Sequence, residues 1–361
     1  MSVVASEGAA RAGLVTTARG TFRTPCFMPV GTRGAVRAVS TADLDDLGVE
    51  VLLANTYHLM LRPGADVVAR RGGIHRFVGW EGHVLTDSGG YQVFSLAPQV
   101  DDDGVTFRST YDGTMHRLTP EGAVATQEAI GADIQMVLDV CPPLPSPPGV
   151  LRVAVERTAA WAERARAAHR REGQALFGIV QGGVDPDLRV ESARRTVAVE
   201  FDGYGIGGLS VGETRAEMLP ALEATLAQLP VDRPRYLMGV GDPVGLVEAI
   251  GRGVDMFDCV LPTRLARHGT VLTASGRLSL RNARYAEDDG PLDPACPCAV
   301  CVRWSRSYLR HLLRLADPGG ARLVTLHNLA WLTGLVASIR AAIEAGRLAD
   351  LRAEVVAAWG R

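Results

Sequence analysis

The chain contains no lysine: all 38 of its basic residues are arginine. That absence excludes a lysine Schiff base and the lysine of a Walker phosphate loop. Charge of one sign is also missing, since the formal net charge is −2 over 361 residues, so the molecule as a whole does not advertise a polyanionic partner. No span of about 20 apolar residues stands out, and no apolar run precedes a cleavage site near the N-terminus. The expectation is a soluble, cytoplasmic protein with no membrane association. Cysteines number six, and Cys26, Cys141 and Cys259 are scattered, which reads as reduced core or pocket thiols and not as a disulfide framework. What the chain does have is 47% hydrophobic against 22% charged residues, enough to bury a large core.

The other three cysteines are crowded into Cys296-Pro-Cys298-Ala-Val-Cys301, and His327 follows one helix later. Three thiolates and an imidazole complete a tetrahedral shell for Zn2+, with no position left for chemistry, so one structural zinc per chain is expected. The first pair is unusually close, but Cys298-x-x-Cys301 restores the common spacing. A helix is predicted over Trp304–Leu315, with His327 returning on a second element, roughly Thr325–Glu344. Arginine is unevenly spread around this site. From Cys259 to Arg314 there are Arg264, Arg267, Arg277, Arg281, Arg284, Arg303, Arg306, Arg310 and Arg314, against Glu287, Asp288, Asp289 and Asp293. Such an excess suits a phosphate backbone through the planar guanidinium fork; a solvated face of internal salt bridges would give the same count.

Eight short apolar or β-branched runs alternate with helical segments, the pattern of βα units around a buried parallel sheet. They are Cys26–Val30, Val51–Ala54, His83–Thr86, Ile134–Leu138, Ala175–Val180, Tyr204–Gly207, Tyr236–Met238 and Val254–Phe257. Eight closes a (β/α)8 TIM barrel. Helices are predicted over Thr119–Gly131, Leu151–Arg171, Leu188–Phe201, Arg215–Gln228 and Pro243–Arg252, with a small antiparallel insertion over Pro98–His116. The expected division is a flexible N-terminal segment (1–20), the barrel (21–270), a zinc-binding subdomain inserted at or appended to the barrel end (271–345), and a C-terminal helix or tail (346–361).

Barrel chemistry sits where strands end. Reading off those ends gives Asp87-Ser88-Gly89-Gly90, Asp139, Gln181-Gly182-Gly183, Gly208-Leu209, Gly239-Val240-Gly241 and Asp258. Any one aspartate there serves equally well as a helix N-cap, but three on one rim favour a site. Glycines let a planar ligand lie against backbone, and Asp139 with Gln181 offers acceptors and an amide for a purine edge, with Tyr91 and Met238 over its faces. Asp87 and Asp258 then serve the bond that changes, as in a retaining glycosidase: one carboxylate attacks an anomeric carbon and the other handles the proton.

In order along the chain stand Leu53-Ala-Asn-Thr-Tyr-His-Leu59 with Leu61-Arg-Pro-Gly64, Thr86-Asp-Ser-Gly-Gly-Tyr-Gln-Val-Phe-Ser95, and Phe177-Gly-Ile-Val-Gln-Gly-Gly183. After them come Ile206-Gly-Gly-Leu-Ser-Val-Gly-Glu213, Tyr236-Leu-Met-Gly-Val-Gly241, Met256-Phe-Asp-Cys-Val-Leu-Pro-Thr-Arg264 and Arg281-Asn-Ala-Arg-Tyr285. With these motifs the sequence resembles the bacterial tRNA-guanine transglycosylases, the queuine tRNA-ribosyltransferase family, from about Thr21 to Glu344. The resemblance implies a homodimeric zinc enzyme that exchanges the wobble guanine of GUN-anticodon tRNAs (Asp, Asn, His, Tyr) for preQ1, in queuosine biosynthesis. It further implies Asp258 as nucleophile on ribose C1′ and Asp87 as general acid/base. Base binding falls on Ser88, Tyr91, Asp139, Cys141, Gln181, Gly208, Leu209 and Met238, and zinc on Cys296, Cys298, Cys301 and His327. RNA contacts are expected from Arg264, Arg267, Arg281 and Arg284. One departure is Val140, where the family usually has glutamate after the recognition aspartate; Glu213, associated there with accommodating the aminomethyl group through a neighbouring peptide, remains. Rival readings are a paralogue using preQ0 or queuine, and a non-catalytic tRNA-binding subunit.

Overall fold

The computed structural model describes residues 1–96 and 98–360. Its centre is a closed barrel of eight parallel strands: Cys26–Gly31, Val51–Ala54, His83–Thr86, Ile134–Met136, Ala175–Val180, Gly203–Ile206, Arg235–Leu237 and Met256–Cys259. Each pairs with the next, and the last closes on the first with Phe257 opposite Phe27 and Asp258 opposite Met28. Strands covered on both faces need side chains that are apolar throughout, and Val51 to Ala54 are all buried, as are His83 to Thr86.

Helices between strands are started by short polar side chains. Asp185 caps Pro186–Val197, Thr214 forms a capping box with Glu217 ahead of Arg215–Leu226, and Asp242 caps Pro243–Ile250. The predicted insertion is present as a three-stranded antiparallel sheet, Gln99–Asp101, Gly104–Arg108 and Met115–Leu118.

Residues 1–20 are not the flexible segment expected. Ser2–Glu7 and Ala10–Thr17 pair with Gly20–Thr24 as an antiparallel sheet. Burial of Ala10, Ala12, Val15 and Phe22 holds it down, together with a buried ion pair, Arg11 Nη2 to Asp255 Oδ2 at 2.6 Å, immediately before the last barrel strand. The sheet is thereby anchored to the end of the barrel where strands begin.

After the last strand, helix Leu261–Arg267 and hairpin Thr270–Thr273/Gly276–Ser279 lead into a small lobe with its own apolar cluster, including Val271, Leu280, Leu292, Leu309 and Leu313. The chain returns on Pro318–Glu344, whose buried Leu329, Leu332, Val336 and Ile339 join the barrel's core cluster. This small lobe is thus inserted between the eighth strand and its closing helix. By length and composition alone this 27-residue helix is apolar enough to cross a membrane, a span the sequence reading did not expect. Its middle carries His327 and Asn328, fully buried and hydrogen-bonded to the carbonyls of Leu272, Pro262 and Thr270, as in a core helix. Leu348–Trp359 ends the chain as a helix, with Val355 in the same cluster.

Candidate active site

The C-terminal ends of the strands surround a cavity of about 300 Å³, lined among others by Asp87, Ser88, Tyr91, Asp139, Cys141, Gly208, Leu209, Met238, Asp258 and Arg264. Gln181 stands directly behind it, its amide bonded to Asp139. Residues from strand ends far apart in sequence therefore meet. Among the described residues none of the three rim aspartates is an N-cap; the capping aspartates are Asp185, Asp242 and Asp317.

Asp258 lies within the end of its strand, one residue past the expected boundary, because pairing with Cys26–Gly31 continues through Cys259. Its Oδ1 accepts from the Tyr236 hydroxyl at 2.6 Å and from the Gly239 N–H at 2.8 Å. Both donors fall on one oxygen, leaving Oδ2 unengaged among the described residues. Burial raises its pKa, and the Tyr236 and Gly239 bonds pull it back. Tyr236 itself is pushed well above the ordinary phenol by burial and by Asp258, so it stays a donor.

Asp87 is held differently. Asn55 Nδ2 (2.6 Å) and Gln92 Nε2 (3.0 Å) donate to Oδ2, while the N–H groups of Thr56 (2.7 Å) and Gly89 (3.2 Å) donate to Oδ1. Burial raises its pKa against those four donors. Such a carboxylate is fixed in place and has a raised proton affinity, as a group that carries a proton requires.

Asp139 is buried, with Gln181 Nε2 donating to Oδ2 at 2.6 Å and Ser88 Oγ to Oδ1 at 3.4 Å. Burial lifts its carboxyl to about 6 despite those bonds, and nearby Asp87 adds to the rise. The opposite atom of the Gln181 amide, Oε1, is buried without a hydrogen-bond partner among the described residues. Gly208 has φ +65°, and a Cβ there would collide with Gln181 Oε1, so glycine is required where the backbone meets the amide. The Cys141 thiol, raised to about 12 chiefly by burial, lies against Gln181 and the Gly208 N–H and is no thiolate nucleophile. Beside it, Glu213 accepts from the N–H groups of Ser210 and Val211, the latter at 3.0 Å. Because a trans peptide points its two polar ends apart, the Leu209 carbonyl is directed away from Glu213. Val140 is buried in an apolar cluster with Leu138 and Trp161 and brings no charge. Tyr91 is 62% exposed at the mouth.

The arginines divide. Arg264 lines the cavity, and Arg267, on the same helix, is lowered by burial and by Arg37 and Arg264. Three like charges thus crowd together with no ion pair to a carboxylate among the described residues. Arg281 is exposed and bonds the His268 carbonyl; Arg284 lies over the Tyr285 ring at 4.7 Å. Of the nine arginines between Cys259 and Arg314, only Arg306 pairs with a carboxylate among the described residues, Asp288 at 3.0 Å, so internal salt bridges do not account for the excess.

Cys296, Cys298, Cys301 and His327 place their ligand atoms within 4.8 Å of one another, a group that could hold one metal ion. His327 Nε2 lies 2.8 Å from the Leu272 carbonyl; since a carbonyl only accepts, Nε2 carries the hydrogen and Nδ1 faces the Cys301 sulfur at 3.2 Å. A set of three thiols and one imidazole is consistent with zinc. The helix before His327 runs Arg306–Arg314 and its own helix begins at Pro318, earlier than expected. A larger hollow of about 680 Å³ lies beside this lobe, but its Asp43 and Glu50 are engaged by Arg322 and Arg23, each at 2.7 Å.

Sequence reasoning did not single out Asn55, Gln92 or Tyr236, the groups that hold the carboxylates of Asp87 and Asp258, nor Arg37. Asn55 and Gln92 were visible only as members of longer motifs, and Tyr236 read as one more apolar strand residue.

A family model described as Queuine tRNA-ribosyltransferase matches residues 6–361. The Queuine tRNA-ribosyltransferase of Moorella thermoacetica is 54% identical over 96% of this chain and 93% of its own. That of Desulforudis audaxviator is 55% identical over 98% and 96%, and that of Symbiobacterium thermophilum 52% over 97% and 88%. A match across nearly the whole chain, spanning the rim carboxylates and the cysteine-histidine group alike, means that this protein belongs to the queuine tRNA-ribosyltransferase family.

Proposed function

We propose that the chain is a tRNA-guanine(34) transglycosylase that replaces the wobble guanine of GUN-anticodon tRNAs (Asp, Asn, His, Tyr) with preQ1, in queuosine biosynthesis. The observation that carries this reading is Asp258, a buried carboxylate at the barrel mouth with one oxygen held by Tyr236 and Gly239 and the other free. Oδ2 attacks C1′ of the flipped-out nucleotide as the C1′–N9 bond breaks, and the bonding pair leaves with guanine, which takes a proton from Asp87. The RNA stays covalently joined to Asp258. The incoming base gives its N9 proton back to Asp87 and attacks C1′, and the carboxylate departs. Nothing is oxidised and no energy source is consumed.

Base recognition follows from the donors and acceptors on the cavity wall. The Asp139 carboxylate accepts N–H groups from the purine edge, and the Gly208 N–H and the Gln181 amide meet its carbonyl oxygen. The Leu209 carbonyl, turned away from Glu213, accepts from the cationic aminomethyl group that distinguishes preQ1 from guanine. The unpaired Arg264 and Arg267 contact the RNA beside the wobble position, with Arg281 and Arg284 further out. Zn2+ bound by Cys296, Cys298, Cys301 and His327 would tie the cysteine turn to the closing helix and take no part in the exchange. A cytoplasmic homodimer completes the reading; exposed Val302, Tyr308 and Leu315 supply apolar surface on the metal lobe for the second copy.

The test is incorporation of labelled guanine into an unmodified GUN-anticodon tRNA, chased with preQ1, preQ0 and queuine in turn. Preferential loss of label with preQ1 is expected. Exchange indifferent to preQ1 moves the reading to a paralogue with another 7-deazapurine, and no exchange at all moves it to a tRNA-binding subunit.

A further inference from the structure

Among the described residues Arg189 is the one large charged side chain that is completely buried, and it has no carboxylate partner there. It stands on helix Pro186–Val197, behind the wall of the cavity. Its guanidinium donates to three backbone carbonyls: Nε to Gly183 at 2.7 Å, Nη1 to Gly207 at 2.7 Å and to Val180 at 3.1 Å. Those carbonyls end two neighbouring strands and belong to the loops carrying Gln181 and Gly208. Nη2 is buried without a partner, and a Cβ placed on Gly208 would lie 3.5 Å from it. Burial lowers the guanidinium to about 10, which leaves it cationic at neutral pH.

Burying a charge against carbonyl dipoles alone is expensive, and holding two loops would need only neutral donors. The position of the bond to Gly207 gives the charge a use. The Gly207 carbonyl and the Gly208 N–H belong to one peptide group, and in a trans peptide they point apart. A cation on the carbonyl side faces the N–H toward the cavity, where it already lies against cavity-lining Cys141. Drawing electron density toward the carbonyl also makes that N–H a stronger donor.

We infer that Arg189 is a positioning residue that works through this peptide: it sets and polarises the Gly208 N–H that meets the carbonyl oxygen of the bound base. The inference rests on the transglycosylase reading. When the C1′–N9 bond breaks, the electron pair spreads over the departing purine onto its 6-oxo oxygen. A donor strengthened at that oxygen favours the departing base over the bound one, the preorganised electrostatic assistance that lowers a barrier.

The experiment compares single Arg189 variants against two bases on the full-length, metal-loaded chain. Guanine and 6-thioguanine differ only in the acceptor atom that the Gly208 N–H and the Gln181 amide meet, so a change in the ratio of their affinities, measured by titration calorimetry, when Arg189 is replaced and Gln181 kept reports on the Gly208 contact. Arg189→Gln is expected to narrow the ratio about fivefold, the difference between a charge-assisted and a neutral hydrogen bond. It should also lower kcat for guanine exchange while KM for tRNA holds. Arg189→Lys, which keeps the charge, should recover part of both, and it decides the matter by the same ratio if the glutamine variant does not fold. Equal weakening toward both bases, or no change, overturns the inference and returns Arg189 to loop support. Failure of the wild-type chain to bind or exchange guanine is a separate result that removes the transglycosylase reading itself.

Discussion

Asp139→Asn should make the fold more stable while destroying base recognition. The Asp139 carboxyl, ordinarily near 3.8, is raised to about 6 chiefly by burial. Between those two values the native chain binds a proton that the unfolded chain has released. This group's contribution to stability is therefore full below about 4, falls as pH rises through about 6, and is a net cost at pH 7.5. A rise of about two units corresponds to about 3 kcal/mol, and for a chain of this length to about 4 °C in melting temperature. Asparagine should recover most of that: its Oδ1 still accepts from Gln181 Nε2, and its amide can donate to Ser88 Oγ. Scanning calorimetry at pH 7.5 and pH 4.5 makes the check, with the variant melting higher at pH 7.5 and the advantage shrinking in acid. Guanine affinity moves the opposite way: it is lost in the variant, and in the wild type it falls as pH drops through about 6 and the acceptor is protonated. A variant no more stable at pH 7.5, or an advantage independent of pH, would refute the assignment of Asp139 as a carboxylate strained by burial for recognition.

Removing the Tyr236 hydroxyl with Tyr236→Phe should cost about tenfold in kcat with little effect on KM. Because that bond lowers the Asp258 pKa, its loss should also move the acid limb of the kcat/KM profile to higher pH. His327→Ala should reduce bound metal from one ion per chain to less than stoichiometric by elemental analysis and loosen the metal lobe, seen as faster amide exchange across residues 270–314. Arg11→Met should cost about 3–5 kcal/mol in urea unfolding at pH 7, since it leaves Asp255 buried without its cation; a neutral result would detach the N-terminal sheet from the barrel's stability.

The barrel was legible because burial on both faces leaves strands such as Val51–Ala54 uniformly apolar, and an aspartate or glycine where the run stops marks the rim. The N-terminal sheet was not, because its strands are covered unevenly: Ser2–Glu7 is largely exposed, whereas Ala10 to Gly13 are buried in a row. Val3 and Val4 are exposed and the strand Ala10–Thr17 is rich in small residues, so no clean alternation survives to announce it. The same logic separates the parts of the site. Asp87, Asp139 and Asp258 interrupt their own apolar runs and are conspicuous. Their partners come from elsewhere in the chain: Asn55 reaches Asp87 from 32 residues away, Tyr236 reaches Asp258 from 22, and Arg189 reaches Gly207 from 18. Only the closure of the barrel brings such pairs together. The end of this strand, at Cys259, was displaced by two residues for a related reason, since pairing with Cys26–Gly31 prolongs the strand beyond its apolar run.

The most direct test of the account is to trap the covalent intermediate. Unmodified GUN-anticodon tRNA incubated with the enzyme and then denatured should leave a protein–RNA adduct with the wild type and none with Asp258→Asn, although the variant still folds and binds tRNA. An adduct of undiminished yield in Asp258→Asn would contradict the assignment of Asp258 as the nucleophile and with it the mechanism built on its free oxygen.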